Sequence, residues 1–288
     1  MYVERIIPHL HYGPSYSSYA EHLGRYMFAA RLLGPTATVL DLGCGSGYGA
    51  AYLAEASGRT VIGIDLSAEA ISYARDHYQM HRLSFLRATV PMLPIKSESV
   101  DAVVALEVIE HVKDAKAVVC EIRRILKPAG ICVVSTPNRL ANGTGMIPDN
   151  PYHVQEYTPD EFKTLLRFAF AEFSLYGQAY TPAFLAFQEN MRRIWHNLSL
   201  IPLLHQELHV LKARLEMDER LTGLSLLRRL KRKLFGGEEK KISPDFDRMS
   251  DSQQVFRHAE ALVNSVVDRE ITPYGIDTAP VILAVCRG

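Results

Sequence analysis

The stretch Thr38-Val-Leu-Asp-Leu-Gly-Cys-Gly-Ser-Gly-Tyr-Gly49 decides the fold. Val39 to Leu42 is a short apolar run that ends in glycines and opens into the helical pattern Ala50-Ala51-Tyr52-Leu53-Ala54. The order is strand, tight turn, helix. The glycines let the backbone bend sharply and let a ligand approach without meeting a Cβ atom. The helix start that follows offers unpaired N–H groups. Gly45-Ser-Gly47-Tyr-Gly-Ala50 satisfies the loose G-x-G-x-x-G/A dinucleotide pattern, which alone is a weak signal. Two acids narrow the reading. Asp41 sits inside the strand, two positions before the first glycine, where a carboxylate repels a pyrophosphate but suits a cationic ligand. Val61-Ile-Gly-Ile-Asp65-Leu-Ser67 is a second apolar strand ending in an acid, twenty positions after Gly45, and an acid there can bind ribose hydroxyls. A nucleoside with a positive amino-acid tail and no phosphate fits both.

On these residues the chain resembles a known family. Val39-Leu-Asp-Leu-Gly-Cys-Gly-Ser-Gly47 is similar to the first motif of class I S-adenosylmethionine-dependent methyltransferases, and Asp65 to that family's ribose-binding acid. The resemblance runs from about Arg25 to about Gln178 and resumes at the last strand. It implies S-adenosyl-L-methionine as cofactor. Asp41, Gly43, Cys44, Gly45, Gly47 and Tyr48 would surround it at the turn, with Asp65 and Leu66 at the ribose. Thr89 and Val90 would meet the adenine, and Leu106 and Glu107 would close the site at the end of the fourth strand. The family often has an acid where Thr89 stands, then Leu-Pro-Phe. Leu93-Pro94-Ile95 fits and Thr89 departs, although its hydroxyl can still accept one hydrogen bond.

Outward from the turn, strands and helices alternate. Thr60–Ile64 reads as strand two, Leu83–Leu86 as strand three, Asp101–Leu106 as strand four and Ile131–Ser135 as strand five after a turn at Lys127-Pro-Ala-Gly130. Ser67 is placed to cap a helix over Ala68–Tyr78, with Glu69 in its first turn. A helix over Ala115–Leu126 follows strand four. Thr158, Pro159 and Glu161 form a capping-box start for another. Such alternation predicts a Rossmann-like, doubly wound, mostly parallel α/β sheet with right-handed crossovers and ligands at the carboxyl ends of the strands. Glu172–Gln178 reads as strand six, but its partner comes only at Pro280–Cys286. The family joins its last two strands by a short hairpin, with the last strand antiparallel. Seven strands and a long helical insertion are therefore expected here. The division is an arm and cofactor-covering helix (1–34), a methyltransferase domain (35–180 and 276–288) and an insertion (181–275). In the covering helix, Tyr19–Leu33, Arg25 or Tyr26 could meet the cofactor, or both could be ordinary helix residues.

Composition sets the bounds. The 288 residues hold 48% hydrophobic residues, enough for a sizeable core. Thirty-two basic residues balance 32 acidic ones, so bulk charge gives no argument for nucleic acid, which is not the expected partner. Cys44, Cys120, Cys132 and Cys286 are scattered without a C-x-x-C pair, and a reducing, cytoplasmic compartment is the simpler reading. Met-Tyr-Val-Glu-Arg lacks signal-peptide order, and no apolar run approaches the length of a spanning helix.

Chemistry concentrates in Glu107-Val-Ile-Glu110-His111, just after strand four. On a helical turn, positions i, i+3 and i+4 share a face. Two carboxylates and an imidazole would then converge beside the glycine turn, and a further histidine follows strand five in Asn150-Pro-Tyr-His153. Glu107, Glu110, His111 and His153 are ligand types that suit Mg²⁺ or Mn²⁺. Many metal-free methyltransferases also carry Glu-x-x-Glu-His, so a structural helix is the plain alternative. With the second histidine, the set resembles two metal-using groups, which act on the 3′-terminal ribose of small RNAs and on catechol-type ubiquinone intermediates. His111 or His153, with Glu110, could also serve as general base without metal.

His22, Arg25-Tyr26, Glu-Val-Ile-Glu-His-Val, Ser-Thr-Pro-Asn and Asn-Pro-Tyr-His together resemble a bacterial group associated with surface-polysaccharide and lipopolysaccharide assembly. The implied acceptor is a sugar hydroxyl. A quinone-type phenol and an RNA 3′ end are the rivals, and a non-catalytic scaffold is the rival of another class. In the insertion, Leu204, Leu208, Leu211 and Leu215 follow 4-3-4 spacing, short for an independent coiled coil and suited to docking on the domain or on a second protomer as a homodimer. Residues 226–235 pack basic among apolar side chains. A solvated face, a membrane-surface helix at the inner membrane and a polyanion patch stay open.

Overall fold

The computed structural model describes residues 16–55, 58–142, 150–179, 271–272 and 276–288. The arm before Tyr16, the heptad leucines and the basic stretch 226–235 lie outside these residues.

The described elements run α1 (Tyr16–Leu32), β1 (Thr38–Leu42), α2 (Tyr48–Glu55), β2 (Thr60–Asp65), α3 (Ala68–His77), β3 (Leu83–Arg87) and β4 (Val100–Leu106). A single 3₁₀ turn, Ile109–His111, then leads to α4 (Ala115–Ile125) and β5 (Leu126–Pro137). The short α5 (Arg139–Asn142), α6 (Pro159–Leu166), β6 (Glu172–Gln178), β7 (Ile271–Thr272) and β8 (Val281–Arg287) complete them. The sheet order is β3-β2-β1-β4-β5-β8-β6-β7. Strands β1 to β5 pair in parallel, with Leu40 opposite Ile62 on one side and Val103 on the other. Strand β8 lies antiparallel between β5 and β6, with Cys132 opposite Cys286 and Leu175 opposite Ala284. These are the seven expected strands. The two-residue β7, antiparallel to β6, adds an eighth at the edge.

The sheet is buried on both faces, which is why its central strands read as mostly apolar runs, broken at Asp41 and Asp101. Side chains alternate between two cores. Val39, Ala102, Val104 and Val133 join a core with α1, α2 and α3. Leu40, Val103, Cys132 and Val134 join the other, with Ile122 of α4 and Phe162 of α6. Each fully buried Leu or Ile contributes about 1.5–3 kcal/mol. The helix starts are those of the sequence: Ser67 accepts from Ala70 N–H, and Thr158 with Glu161 completes a capping box behind Pro159.

One boundary differs. Strand β5 begins directly at Leu126, and Lys127–Gly130 is a distortion within it rather than a turn before it. Val100 pairs with Leu126, but Ala102 pairs with Ile131, so the extra residues loop out of register. The Lys127 ammonium bonds Asp101 at 2.7 Å and Gly288 N–H bonds the Gly130 carbonyl at 2.9 Å, so pairing partners outside the segment hold it.

The chain adds β2 and β3 to one side of β1, then crosses to place β4 and β5 on the other. That reversal opens a crevice at the carboxyl ends of β1 and β4, the position where open α/β sheets bind ligands. Among the described residues no helix is long and apolar enough to cross a membrane.

Candidate active site

The turn after β1 is latched to its neighbour strand. Gly43 and Cys44 both donate their N–H to the Ile64 carbonyl, at 2.8 and 2.9 Å. Gly43, Gly45 and Gly47 have φ of +73°, +53° and +89°. At Gly47 a Cβ atom would lie 2.6 Å from the Ala74 side chain and 2.9 Å from the Phe85 ring, so only glycine fits. At Gly45 a Cβ would meet nothing within 4 Å; it would project into open space at the wall of the crevice. Asp65 joins the two loops. One oxygen accepts from Gly45 N–H at 2.9 Å and the other from Ser67 N–H at 2.8 Å. Each carboxylate oxygen keeps a further lone pair.

The crevice is a cavity of about 680 Å³, within the range of roughly 300–1,000 Å³ usual for small-molecule sites. Gly43, Gly45, Ser46, Tyr48, Ile64, Asp65, Leu66, Ala88, Thr89 and Val90 line it toward β2 and β3. Leu106, Glu107, Glu110, His111, Val112, Asn150, Tyr152 and His153 line it toward β4, and His22 and Tyr26 come in from α1. Of the residues expected around the cofactor, Asp41, Cys44 and Gly47 stand behind this wall.

Asp41 is fully buried, and the Tyr26 hydroxyl donates across both its oxygens at 3.1 and 3.2 Å. Burial pushes its carboxyl up to about 8; the bond from Tyr26 opposes this, and the nearby Asp65 adds to it. Burial likewise pushes the Tyr26 hydroxyl well up, with Asp41 reinforcing. Asp41 therefore reaches the cavity through Tyr26. Arg25 turns away: 1% exposed, it donates to the Gln178 side chain at 2.7 Å, and its Nε has no acceptor among the described residues. Of the two α1 residues considered for covering the site, Tyr26 is the one that lines it.

The acid–histidine cluster departs from a helical turn. Glu107, the residue after β4, is in the left-handed region, φ +56°, a conformation that costs a non-glycine residue roughly 1–3 kcal/mol. Its carboxylate accepts from the Ser135 hydroxyl at 2.7 Å, and its N–H donates back to that oxygen at 3.1 Å. Glu110, His111 and His153 meet, with one ligand atom from each within 4.8 Å of the others; Glu107 is not part of that group. Glu110 is fully buried. One oxygen accepts from Thr136 at 3.3 Å and the other, Oε1, has no hydrogen-bond partner among the described residues. Burial pushes its carboxyl well above the usual range, the neighbouring Glu107 adds to this, and hydrogen bonds and Arg25 oppose it. His111 donates Nδ1–H to the Tyr152 carbonyl at 3.0 Å, and its Nε2 lies 3.9 Å from Glu110 Oε1.

Sequence reasoning named both histidines but missed Glu156. It is buried and bonds His153 Nδ1 at 2.8 Å. Its only sequence signal was an acid three positions after the histidine. His22 and Asn150 are also cavity residues to which no site role was given.

Residues 40–134 match the family model described as a methyltransferase domain. A probable S-adenosylmethionine-dependent methyltransferase of Mycobacterium tuberculosis is 38% identical over 146 residues, 49% of this chain and 52% of that protein. A ubiquinone biosynthesis O-methyltransferase of Roseobacter denitrificans is 33% identical over 143 residues, 45% of this chain and 57% of that one. A solved S-adenosylmethionine-dependent methyltransferase of Mesorhizobium loti aligns with a TM-score of 0.48 at 20% identity, covering 59% of this chain and 91% of that one. The chain spans about half the length of the curated relatives it matches. The glycine turn and helix at the sheet's reversal point lie within the matching residues: over 40–134 the chain carries a methyltransferase domain similar to those of S-adenosylmethionine-dependent methyltransferases.

Proposed function

We propose that the chain is an O-methyltransferase for an acceptor with two neighbouring hydroxyls, and that this acceptor is a sugar in bacterial glycan or lipopolysaccharide synthesis. One observation carries the hydroxyl chemistry: the Glu110–His111–His153 cluster lines the same cavity as the glycine turn and Asp65. The residues fit the cofactor, because Gly45 leaves open space at the cavity wall and Asp65 keeps lone pairs for ribose hydroxyls. Thr89, Val90 and Tyr26 line the same cavity; on this reading Thr89 and Val90 would meet the adenine edge and Tyr26 would cover the amino-acid end.

The bound cofactor supplies an electrophilic methyl group. The chain's task is to hold an acceptor oxygen in line with it, and orientation supplies much of the rate. With Nδ1 committed to the Tyr152 carbonyl in His111 and to Glu156 in His153, Nε2 is the ring nitrogen that would take the acceptor proton, His153 giving up its bond from Asn150 to do so. The unpaired Glu110 oxygen and the two histidines are also the donor set that would hold Mg²⁺ or Mn²⁺, whose chemistry there is to lower the pKa of a chelated hydroxyl.

A second reading, a catechol-type phenol of quinone synthesis, is favoured by the relatives named ubiquinone biosynthesis O-methyltransferase. The test is binding of S-adenosylhomocysteine by calorimetry, then transfer of labelled methyl to nucleotide sugars and to catechols, with Mg²⁺ and with chelator. Sugar turnover supports the first reading and catechol turnover the second. Full activity in the His111→Ala/His153→Ala double variant would sink the role of the cluster. Failure to bind S-adenosylhomocysteine would sink the whole.

A further inference from the structure

We propose that Glu156 and Asn150 are positioning residues that lock His153 in its Nδ1–H tautomer and so reserve Nε2 as the nitrogen with a lone pair. A neutral imidazole carries one donor and one acceptor nitrogen, and its neighbours select which. Two neighbours of His153 make the same selection independently. On one side, the Glu156 carboxylate, 5% exposed, lies 2.8 Å from Nδ1 and accepts its proton. On the other, the Asn150 side-chain nitrogen lies 2.9 Å from Nε2. The orientation of that amide is itself fixed, because Asn150 Oδ1 accepts from Tyr152 N–H at 3.0 Å. The group facing Nε2 is therefore NH₂, which can only donate, and Nε2 must accept.

The same loop is pinned beside Glu110. Val154 N–H donates to the Glu110 carbonyl at 2.7 Å, and His153 N–H to the Asn150 carbonyl at 3.0 Å. The His153 ring ends 4.8 Å from the His111 ring, centroid to centroid, in an edge-to-face arrangement. In the opposite tautomer the Nδ1 lone pair would face the Glu156 carboxylate, and Nε2 would present a proton where the site needs an acceptor. An acceptor hydroxyl or a cation takes the Nε2 lone pair in exchange for a single bond from Asn150. The tautomer stands on the hydrogen bonds alone; its use in methyl transfer rests on the reading above.

The experiment is a long-range proton–nitrogen correlation of the histidine side chains in the full ¹⁵N-labelled chain, at alkaline pH where imidazole is neutral. His153 is assigned by its disappearance in His153→Gln. The wild-type chain is expected to show His153 protonated at Nδ1. Glu156→Gln keeps an acceptor oxygen and is expected to keep that signature. Glu156→Leu leaves Asn150 in place, Asn150→Leu leaves Glu156 in place, and each is expected to retain it. The Glu156→Leu/Asn150→Leu double variant removes both selecting neighbours and is expected to lose it. His153 protonated at Nε2 in the wild-type chain overturns the proposal without any variant. So does an unchanged Nδ1–H signature in a folded chain of the double variant. Binding of S-adenosylhomocysteine, measured alongside, keeps this result separate from the methyltransferase reading: lost binding removes that reading and leaves the tautomer as observed.

Discussion

Replacing Asp41 by Asn isolates one buried titration. The folded carboxyl is pushed up to about 8 from an ordinary value of 3.8, chiefly by burial. Between those values the unfolded chain has released this proton and the folded chain still holds it. Stability from Asp41 is therefore complete below the unfolded pKa and is lost as pH rises toward the folded one. One proton of difference makes the slope about −1.4 kcal/mol per pH unit. From pH 5 to pH 7 the wild-type chain should lose about 3 kcal/mol from this source alone. Asn resembles the protonated acid in shape, can still accept from the Tyr26 hydroxyl, and has no proton to release. The difference in unfolding free energy between wild-type and Asp41→Asn chains should thus shift by about 3 kcal/mol across that interval, with the variant gaining as pH rises. Urea unfolding followed by circular dichroism at pH 5, 6 and 7, without cofactor, reads it directly. Parallel stability profiles for the two chains would refute the reasoning, because they would mean that Asp41 is ionised in the folded chain despite its burial behind Tyr26.

Gly47→Ala puts a Cβ atom 2.6 Å from the Ala74 side chain at a φ of +89°; strain and overpacking together predict a loss of about 2–5 kcal/mol in unfolding free energy, and a midpoint shift below that range would count against the fit described. Thr158→Ala removes the hydroxyl that accepts from Glu161 N–H and should cost about 1 kcal/mol, seen as faster hydrogen exchange in the first turn of α6 with β6 unchanged. The Arg124 guanidinium bonds the Ile95 carbonyl at 2.9 Å, the Ser97 hydroxyl at 2.9 Å and Glu121, whose carboxylate accepts from Leu93 N–H at 2.8 Å. Arg124→Ala should therefore speed exchange at Leu93 and its neighbours while β1 and β4 stay protected; uniform exchange across all of them would show that this staple is idle.

The sequence by itself determined the order of strands and helices, the glycine turn after β1 and the helix starts, because each is written over a few neighbouring positions. Strands buried on both faces leave unbroken apolar runs at Ala102–Leu106 and Ile131–Val134. Ser67 and Thr158 cap helices through bonds to N–H groups three positions on. The turn glycines need no distant partner to be recognised, and an acid at Asp65 follows at the spacing of a crossover.

Tertiary structure decided what depends on residues far apart in the chain. Local spacing put Glu107, Glu110 and His111 on one helical face, but the end of β4 turns through a left-handed Glu107 that bonds Ser135, and only Glu110 and His111 meet His153. Arg25 and Tyr26 are neighbours in sequence and alike in promise; packing across 153 positions to Gln178 turned Arg25 away, while Tyr26 found Asp41 and the cavity. The register jump at Lys127–Gly130 is set by strand β4 and the chain's last residue rather than by its own Pro and Gly. The hydrogen bonds that choose a histidine tautomer are the finest case. They depend on which nitrogen a folded loop turns toward a carboxylate and which toward an amide, an orientation that no linear pattern of residue types encodes.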